Sequence, residues 1–293
     1  MMITNGFDML KKARAEHYAV PAFNVNNLEW AKAILLACEE MQSPVIMQVT
    51  GGAAKYMGNF KVAHDLIKDM HDALGITVPV AIHLDHGNYQ DVQDAVAAGF
   101  TSIMFDGSAL PLDENVQKVK AIANFVHDDH LQLEGEIGTI GGEEDGVIAD
   151  GEVASLGDTL RLAQAGVDSL AVGIGNIHGK YPSNWTGLKL DHLKAIAEMI
   201  SDEMGIEMPL VLHGGSGIPD DQIQAAIQLG IAKVNVNTEG QLAFHQAIRD
   251  FVLSNKDLEG KNYDPRKFLQ PGTDAIQAMC VDRITVFGSL NRA

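Results

Sequence analysis

The 293-residue chain carries 21 Lys and Arg against 39 Asp and Glu, which gives a formal net charge of -18. Because affinity for nucleic acid comes mainly from clustered Lys and Arg, this balance argues against a nucleic-acid partner, and it disfavours anionic membrane surfaces. No stretch reaches the roughly 18 apolar residues that a membrane helix needs, and the polar N-terminal segment does not resemble a signal peptide. We therefore expect a globular cytoplasmic protein, and its two cysteines predict no disulfide framework.

Short apolar runs alternate with longer amphipathic stretches along the whole chain. The runs that predict strands are residues 19–23, 45–49, 80–84, 102–105, 131–137, 169–174, 210–212 and 233–236. They are apolar on both faces, as in a buried parallel sheet, and the stretches between them have helical periodicity. The pattern predicts an α/β fold, a single (β/α)8 TIM barrel domain over residues 1–293, with a doubly wound sheet as the alternative.

Two segments interrupt this alternation. Residues 138–151 follow the fifth predicted strand and residues 175–187 follow the sixth, and both are rich in glycine. Segments of this length between elements are often lids over a binding site. We expect long loops at both places.

Polar residues collect just after the predicted strands, where a (β/α)8 barrel carries its functional side chains. Three histidines, each followed by glycine, come after the third, sixth and seventh strands: His86, His178 and His213. Taken singly, each is more often a structural residue, but three imidazoles from separate strands suit a catalytic zinc, which commonly has three protein ligands. His83 lies inside its strand and is expected to be a core histidine. The remaining histidines, such as His71, are expected on the surface.

Acidic residues accompany the histidines. Asp85 could transfer a proton to or from substrate, or could orient a histidine. Asp106 and Glu136 could form a second cation site or a structural carboxylate pair. The acidic run at residues 143–145, between glycines, could bring a carboxylate over the site or could be a solvated turn.

Glycine-rich residues 214–217 and the segment 235–238 follow the seventh and eighth predicted strands. Many barrels bind phosphate at this place, through backbone N–H groups and a helix N-terminus. In a barrel these segments therefore suit a phosphate, whereas outside a barrel residues 214–217 would more often form an ordinary turn.

Nine sequence blocks in chain order resemble the class II, metal-dependent fructose-bisphosphate aldolases, in the shorter bacterial type shared with tagatose-bisphosphate aldolases. They include VPVAIHLDHG, EGEIGTIGGEEDGV, IGNIHGKYP, LVLHGGSGIP, KVNVNTE and YDPRKFL, and the resemblance covers essentially the whole chain. It implies a lyase that reversibly cleaves fructose 1,6-bisphosphate to dihydroxyacetone phosphate and glyceraldehyde 3-phosphate in glycolysis and gluconeogenesis. Its small-molecule partners would be a sugar bisphosphate and triose phosphates.

The resemblance also implies roles for individual residues. The implied ligands of the catalytic Zn2+ are His86, His178 and His213, and those of a second divalent cation are Asp106 and Glu136. Asp85 matches the residue that handles the proton of the oxygen at the cleaved bond. Glu144 matches a loop carboxylate that exchanges the carbon-bound proton of dihydroxyacetone phosphate.

Substrate contacts are implied in the same way, with a monovalent cation, Na+ or K+, nearby. The residues that match the triose phosphate site are Gly179, Gly214, Gly215, Ser216, Asn235, Val236, Asn237 and Thr238. Asn24 matches a substrate-contacting Asn, and Thr50 stands where the family usually has serine. Arg266 matches a residue that reaches the far phosphate, often in a neighbouring subunit, which favours a homodimer or homotetramer.

Two alternatives stay open at the level of sequence. Tagatose 1,6-bisphosphate differs from the fructose compound only in configuration at C4, and a sugar-phosphate binder without catalysis is a more distant reading. A lysine-based aldolase fits poorly, since Lys233 is expected to begin its strand rather than to follow one.

Many relatives place a lysine behind the tyrosine after His178-Gly179, whereas here Lys180 precedes Tyr181, so a lysine contact to phosphate is in doubt.

Overall fold

Eight parallel strands close into a barrel, as predicted, with helices between them. The structure, a computed structural model, describes residues 3–144, 147–149 and 151–293, without the side chains of residues 143–144 and 147–149. The barrel strands are β1 Val20–Asn24, β2 Val45–Thr50, β3 Val80–Gly87, β4 Ser102–Phe105, β5 Gln132–Ile137, β8 Ser169–Val172, β10 Leu210–Leu212 and β11 Ile231–Val236. Each pairs in parallel with its neighbours, and β11 pairs with β1 to close the barrel.

Helices cover the outside of the barrel and follow the strands in alternation. They are α1 Phe7–Glu16, α2 Leu28–Glu40, α3 Gly51–Met57, α4 Phe60–Leu74, α5 Tyr89–Ala98, α6 Leu112–Asp128, α7 Leu156–Ala163, α8 Leu190–Met204, α9 Asp220–Gln228, α10 Thr238–Leu253, α11 Pro265–Phe268 and α12 Gln270–Val286. Within the described residues, none of these helices is long and apolar enough to cross a membrane. Cys38 and Cys280 are free, buried thiols.

Apolar packing closes the barrel at the N-terminal ends of its strands. Met9, Leu10 and Ala13 of α1 pack there in a buried cluster with side chains from the barrel strands, such as Val20 and Ile46. Burial of this helix face fills the lower mouth of the barrel with hydrophobic side chains. The cavity of the barrel opens at the opposite, C-terminal mouth.

The two long segments predicted as loops carry short strands. β6 Gly141–Glu144 pairs antiparallel with β7 Val147–Ala149 and parallel with β9 Ile177–His178. This small sheet joins the segment after β5 to the segment after β8. It holds His178 opposite Gly142 in the pairing register.

Two strands differ from their predicted bounds in ways that affect the site. β3 continues to Gly87, so Asp85 and His86 belong to its C-terminal end. β11 begins at Ile231, so the expectation that Lys233 begins its strand is wrong. The Lys233 side chain is completely buried inside the barrel.

Candidate active site

A cavity opens at the C-terminal mouth of the barrel, where the sequence predicts the site. Its lining consists of Asn24, Gln48, Asp85, His86, His178, Gly179, Gly214, Ser216, Asn235, Asn237 and Thr238. All of these are polar residues or glycines from the ends of strands and the segments that follow them. The cavity therefore offers hydrogen bonds and charge rather than an apolar surface.

His86, His178 and His213 converge, as the sequence predicts. Potential ligand atoms of the three side chains all lie within 4.8 Å of one another. His86 Nε2 and His213 Nδ1 face each other over 2.9 Å, and the ring centroids of His86 and His178 are 4.9 Å apart. We call these three residues the histidine cluster.

In His86 and His213, the imidazole nitrogen that faces away from the centre of the cluster is hydrogen-bonded to a carboxylate. His86 Nδ1 lies 2.8 Å from Asp106 Oδ2, and His213 Nε2 lies 3.0 Å from Glu134 Oε1. A carboxylate that accepts the N–H of one imidazole nitrogen leaves the other nitrogen available to a metal. Both available nitrogens point toward the centre of the cluster.

The backbone of β3 aims His86 at this centre. The pairing of β3 with β4 shifts register between Leu84 and Gly87, which marks a bulge. His86 has φ 51, a left-handed conformation that is uncommon outside glycine and that clusters at functional sites. The irregularity lets successive residues, Asp85 and His86, both face the cavity.

The donor set of the histidine cluster fits a divalent metal. Burial, together with the charge of His86, lowers the pKa of His178 to about 3 and that of His213 well below its usual value. Both rings are therefore neutral, the form that binds metals. Although burial lowers the pKa of His86, the nearby carboxylates of Asp85, Asp106 and Glu136 raise it well above its ordinary value, so the pocket favours positive charge.

Asp85 is a buried carboxylate held by three amides. Asn24 Nδ2 donates to Asp85 Oδ2 over 2.9 Å, Gln48 Nε2 donates to the same oxygen over 3.1 Å, and Asn235 Nδ2 donates to Oδ1 over 3.3 Å. Burial raises the pKa of Asp85, in spite of the opposing charges of His86 and Lys233. A raised pKa suits a group that exchanges protons near neutral pH.

Asp106 and Glu136 share a space beside His86. Together with His86 they form a second group of potential ligand atoms within 4.8 Å of one another. Hydrogen bonds from His86 and Ser108 hold the pKa of Asp106 below its usual range in spite of burial, whereas burial and the charge of Asp106 raise that of Glu136 to about 8. Glu136 Oε2 is buried and makes no hydrogen bond within the described residues. These features are compatible with a second cation and with a carboxylate pair that supports His86.

The segments predicted to bind phosphate lie at the same mouth. Thr238 begins α10, and Ser216 Oγ accepts a hydrogen bond from Glu239 N in the first turn of that helix. The N-terminus of α10 therefore contributes N–H groups and a favourable dipole for an anion. Tyr181 ties the neighbouring segments together, since its hydroxyl accepts from Ile177 N over 3.0 Å and donates to Gly214 O over 2.8 Å.

Several residues predicted for the site are not among those that line the cavity. Thr50 is buried and caps α3 by accepting from Ala53 N, and Gly215 N donates to Asn235 O in the backbone. Val236 is buried at the end of β11. Arg266 is exposed and forms an ion pair with Asp264 of its own helix cap. The Glu144 side chain lies outside the part of the chain that the structure describes.

Sequence reasoning gave no role in the site to four further polar residues. Gln48 lines the cavity, and Glu134, His83 and Lys233 are fully buried in the barrel. The expectation that His83 is a core histidine is confirmed. The expectation of a surface position for His71 is wrong, since only 2% of it is exposed.

Comparisons with known proteins identify the family of the chain. The sequence profile described as "Fructose-bisphosphate aldolase class-II" matches residues 4–292. Curated proteins named fructose-bisphosphate aldolase are 52% identical in Streptococcus pneumoniae and 51% identical in Streptococcus pyogenes, each over 298 aligned residues and the full length of both chains.

Solved structures share the fold. The YdjI aldolase of Escherichia coli K12 is 29% identical with a TM-score of 0.81, and the alignment covers all of both chains. The fructose-bisphosphate aldolase of Campylobacter jejuni is 25% identical with a TM-score of 0.84, and the alignment covers 99% of this chain and 97% of that one. With the profile match and the curated relatives, these similarities show that the chain belongs to the class II fructose-bisphosphate aldolase family, whose members are metal-dependent lyases.

Proposed function

We propose that this enzyme is a zinc-dependent fructose-1,6-bisphosphate aldolase of glycolysis and gluconeogenesis, formed by a single barrel domain over residues 1–293. It would reversibly cleave its substrate to dihydroxyacetone phosphate and glyceraldehyde 3-phosphate. The observation that carries the proposal is the convergence of His86, His178 and His213 beside the buried carboxylate of Asp85. Family membership implies a divalent metal, and three histidine nitrogens with room for substrate suit zinc.

In this proposal the histidine cluster holds the metal. When bound, the divalent ion would polarise the C2 carbonyl of the substrate and stabilise the negative charge that develops as the C3–C4 bond breaks. The protein's part is to bury the imidazoles and to orient two of them, His86 through Asp106 and His213 through Glu134. A lysine that forms a Schiff base is not needed for the same charge stabilisation.

Asp85 and Glu144 are proposed to move the two protons of the reaction. In the cleavage direction Asp85 accepts the proton of the C4 hydroxyl, C4 becomes an aldehyde, and the electrons of the C3–C4 bond stay with C3. Glu144 then gives a proton to C3, which yields dihydroxyacetone phosphate. The amides of Asn24, Gln48 and Asn235 hold the Asp85 carboxylate in one orientation, as a general base requires.

The remaining predicted residues are proposed to bind substrate. Those assigned to the triose phosphate are Gly179, Gly214, Gly215, Ser216, Asn235, Val236, Asn237 and Thr238, and those assigned to other parts of the substrate are Asn24 and Thr50. Arg266 would reach the far phosphate of the substrate that is bound in a neighbouring subunit. The assembly would therefore be a homodimer or homotetramer. The exposure of Arg266 at 89% supports a role outside its own cavity.

Further ions and the location complete the proposal. A second divalent cation would bind at Asp106 and Glu136, whose potential ligand atoms lie within 4.8 Å of each other and of a ring nitrogen of His86. A monovalent cation, Na+ or K+, would lie near the triose phosphate. We also propose that the enzyme works in the cytoplasm, where sugar phosphates are made and consumed.

The alternatives have less support. Tagatose bisphosphate is not favoured as the substrate, because the curated relatives at about half identity are named fructose-bisphosphate aldolases. A binder that has lost catalysis would have lost part of its machinery. The presence of Asp85 beside the histidine cluster supports an active enzyme instead.

A coupled assay of triose phosphate release tests the proposal. We expect faster release from fructose 1,6-bisphosphate than from tagatose 1,6-bisphosphate, loss of activity after treatment with a strong chelator, and recovery when zinc is added back. Activity that survives complete metal removal would refute the metal mechanism. Faster cleavage of the tagatose compound would refute the choice of substrate.

A further inference from the structure

A ring of buried polar side chains crosses the barrel one pleat below the histidine cluster. Its members are His83, Ser102, Gln132, Glu134, Ser169 and Lys233, none of them more than 1% exposed. We call this set the buried ring. Hydrogen bonds join each member to the next around the whole circuit. The ring reaches the histidine cluster through Glu134, whose Oε1 lies 3.0 Å from His213 Nε2.

Lys233 sets the direction of the hydrogen bonds on one side of the ring. Its ammonium group can donate but has no lone pair to accept. His83 Nε2, which lies 3.1 Å from Lys233 Nζ, must therefore accept. The His83 proton is then on Nδ1 and is donated to Ser102 Oγ over 2.6 Å.

The directions continue consistently from Ser102 to Glu134. The Ser102 hydroxyl donates to Gln132 Oε1, Gln132 Nε2 donates to Ser169 Oγ over 2.8 Å, and the Ser169 hydroxyl donates to Glu134 Oε2 over 3.4 Å. Lys233 Nζ donates to the same oxygen over 2.8 Å. Glu134 Oε2 thus accepts at the end of two donor paths, and its ion pair with the Lys233 ammonium group makes Glu134 an acceptor-only carboxylate.

This arrangement determines the tautomer of His213. Because Glu134 Oε1 can only accept, His213 must carry its proton on Nε2 and keep a lone pair on Nδ1. Asn235 Nδ2, 3.2 Å from His213 Nε2, would favour the opposite tautomer. Glu134 prevails because it is nearer and charged, and because two buried acceptors 3.0 Å apart would leave both without a donor.

We propose that Glu134 and Lys233 are positioning residues that fix the Nε2-protonated tautomer of His213, so that Nδ1 is the nitrogen presented to the metal. His213 Nδ1 faces His86 Nε2 over 2.9 Å, at the centre of the histidine cluster. The inference rests on the proposed metal-dependent function and adds a role for a buried ion pair that touches no substrate. Loss of such a partner of a metal ligand typically weakens metal binding by about 10- to 100-fold.

Two variants separate this role from a merely structural one. In Glu134→Gln, Lys233 holds the new amide oxygen, so the amide NH2 faces His213 Nε2 and drives the proton to Nδ1. We expect zinc affinity, measured by competition with a chromophoric chelator, to fall by about 10- to 100-fold. Adding Lys233→Met frees the amide to turn and offer its oxygen to His213. We expect the double variant to regain most of the lost affinity, whereas a structural role predicts further loss.

Gln132→Met serves as the matched control. It breaks two hydrogen bonds of the buried ring but removes no atom that touches His213. We expect it to unfold at lower temperature and to retain wild-type zinc affinity. Unchanged zinc affinity in Glu134→Gln, or a double variant that binds zinc no better than Glu134→Gln, overturns the proposal.

Nitrogen-15 NMR of histidine-labelled, metal-free wild-type protein reads the tautomer without any variant. We expect His213 to show a proton on Nε2, and a proton on Nδ1 overturns the proposal. A wild-type chain that binds no divalent ion would instead refute the proposed function, and the NMR result would still decide the tautomer. The two failures are therefore distinguishable.

Discussion

Asn24 at the end of β1 donates a hydrogen bond to the carboxylate of Asp85 on β3 over 2.9 Å, across the intervening strand β2. Gln48 of β2 donates to Asn24 Oδ1 and to Asp85 Oδ2. Because these hydrogen bonds join all three side chains, the Asp85 carboxylate has little rotational freedom. Burial also raises the pKa of Asp85, which makes its carboxylate a better proton acceptor than an exposed one.

Asp85→Asn tests the assignment of the general base. The amide is almost the same size but cannot accept the C4 hydroxyl proton, so we expect kcat to fall by about 10²- to 10⁴-fold. Zinc content, measured by atomic absorption, should stay at the wild-type value because Asp85 is not a proposed ligand. Asp94→Asn, an exposed change on α5, should leave kcat unchanged. Normal turnover by the Asp85 variant would show that another group takes the proton.

The sequence was sufficient to predict the barrel and the histidine cluster for a physical reason. Parallel strands buried on both faces are continuous apolar runs, and their C-terminal ends must meet at one mouth. His86, His178 and His213 therefore converge once the strands are located. The small sheet of β6, β7 and β9 could not be predicted, because β9 has only two residues and its pairing with Gly141 and Gly142 is a tertiary contact.

The buried ring was missed because its residues lie inside strands that read as apolar. A signal was present in the period of two along β5, where Gln132, Glu134 and Glu136 alternate with Leu133 and Gly135. Alternate residues of a strand share a face, so polar residues at this period indicate a polar barrel interior. The same alternation is present in β11, where Lys233 and Asn235 alternate with Val234 and Val236.

Tyr181→Phe tests the join between the two segments that carry His178 and His213. Loss of the hydroxyl leaves Ile177 N and Gly214 O without their shared partner, at a cost of about 1 to 3 kcal/mol. We expect weaker zinc binding and a higher KM, with kcat less affected. Zinc titration and steady-state kinetics would measure these changes.

Trp185→Phe is the control for the tyrosine variant. It removes a hydrogen bond from Trp185 Nε1 to Gly175 O within the same segment, but it leaves the join to Gly214 in place. We expect lower thermal stability and wild-type zinc affinity. If both variants lost zinc equally, general loosening of the segment would explain the effect, and the specific role of the Tyr181 hydroxyl would be disproved.

Glu39 makes a pH-dependent contribution to stability. Burial alone would raise its pKa, but hydrogen bonds donated by Thr77 and Val78 outweigh burial and lower it from 4.5. Folding therefore favours the ionised form, and the contribution is complete above pH 4.5 and lost as pH falls through the folded-state pKa. We expect Glu39→Gln to lower the free energy of unfolding by about 1 kcal/mol at pH 7.

Urea unfolding of the wild type and of Glu39→Gln at several pH values would measure this dependence. The difference between the two proteins should shrink as the pH falls below 4.5. Glu40→Gln, an exposed neighbour, should show a smaller difference at pH 7. A difference for Glu39 that stays constant down to low pH would mean that its ionised form is not what folding favours.

Alanine substitutions at Gly214 and Gly205 separate the effect of a left-handed backbone conformation from the effect of close packing around the Cβ. Their φ values are +65 and +66, but a Cβ on Gly214 would lie 2.1 Å from Ile177 O, whereas a Cβ on Gly205 meets nothing within 4 Å. Alanine at either position incurs the left-handed penalty of about 1 to 2 kcal/mol. We expect Gly205→Ala to lower Tm slightly and keep full activity. Gly214→Ala must also displace the Ile177 backbone next to His178, so we expect loss of zinc affinity and of cleavage. Equal activity of the two variants would mean that the segment after β10 adapts without moving His178.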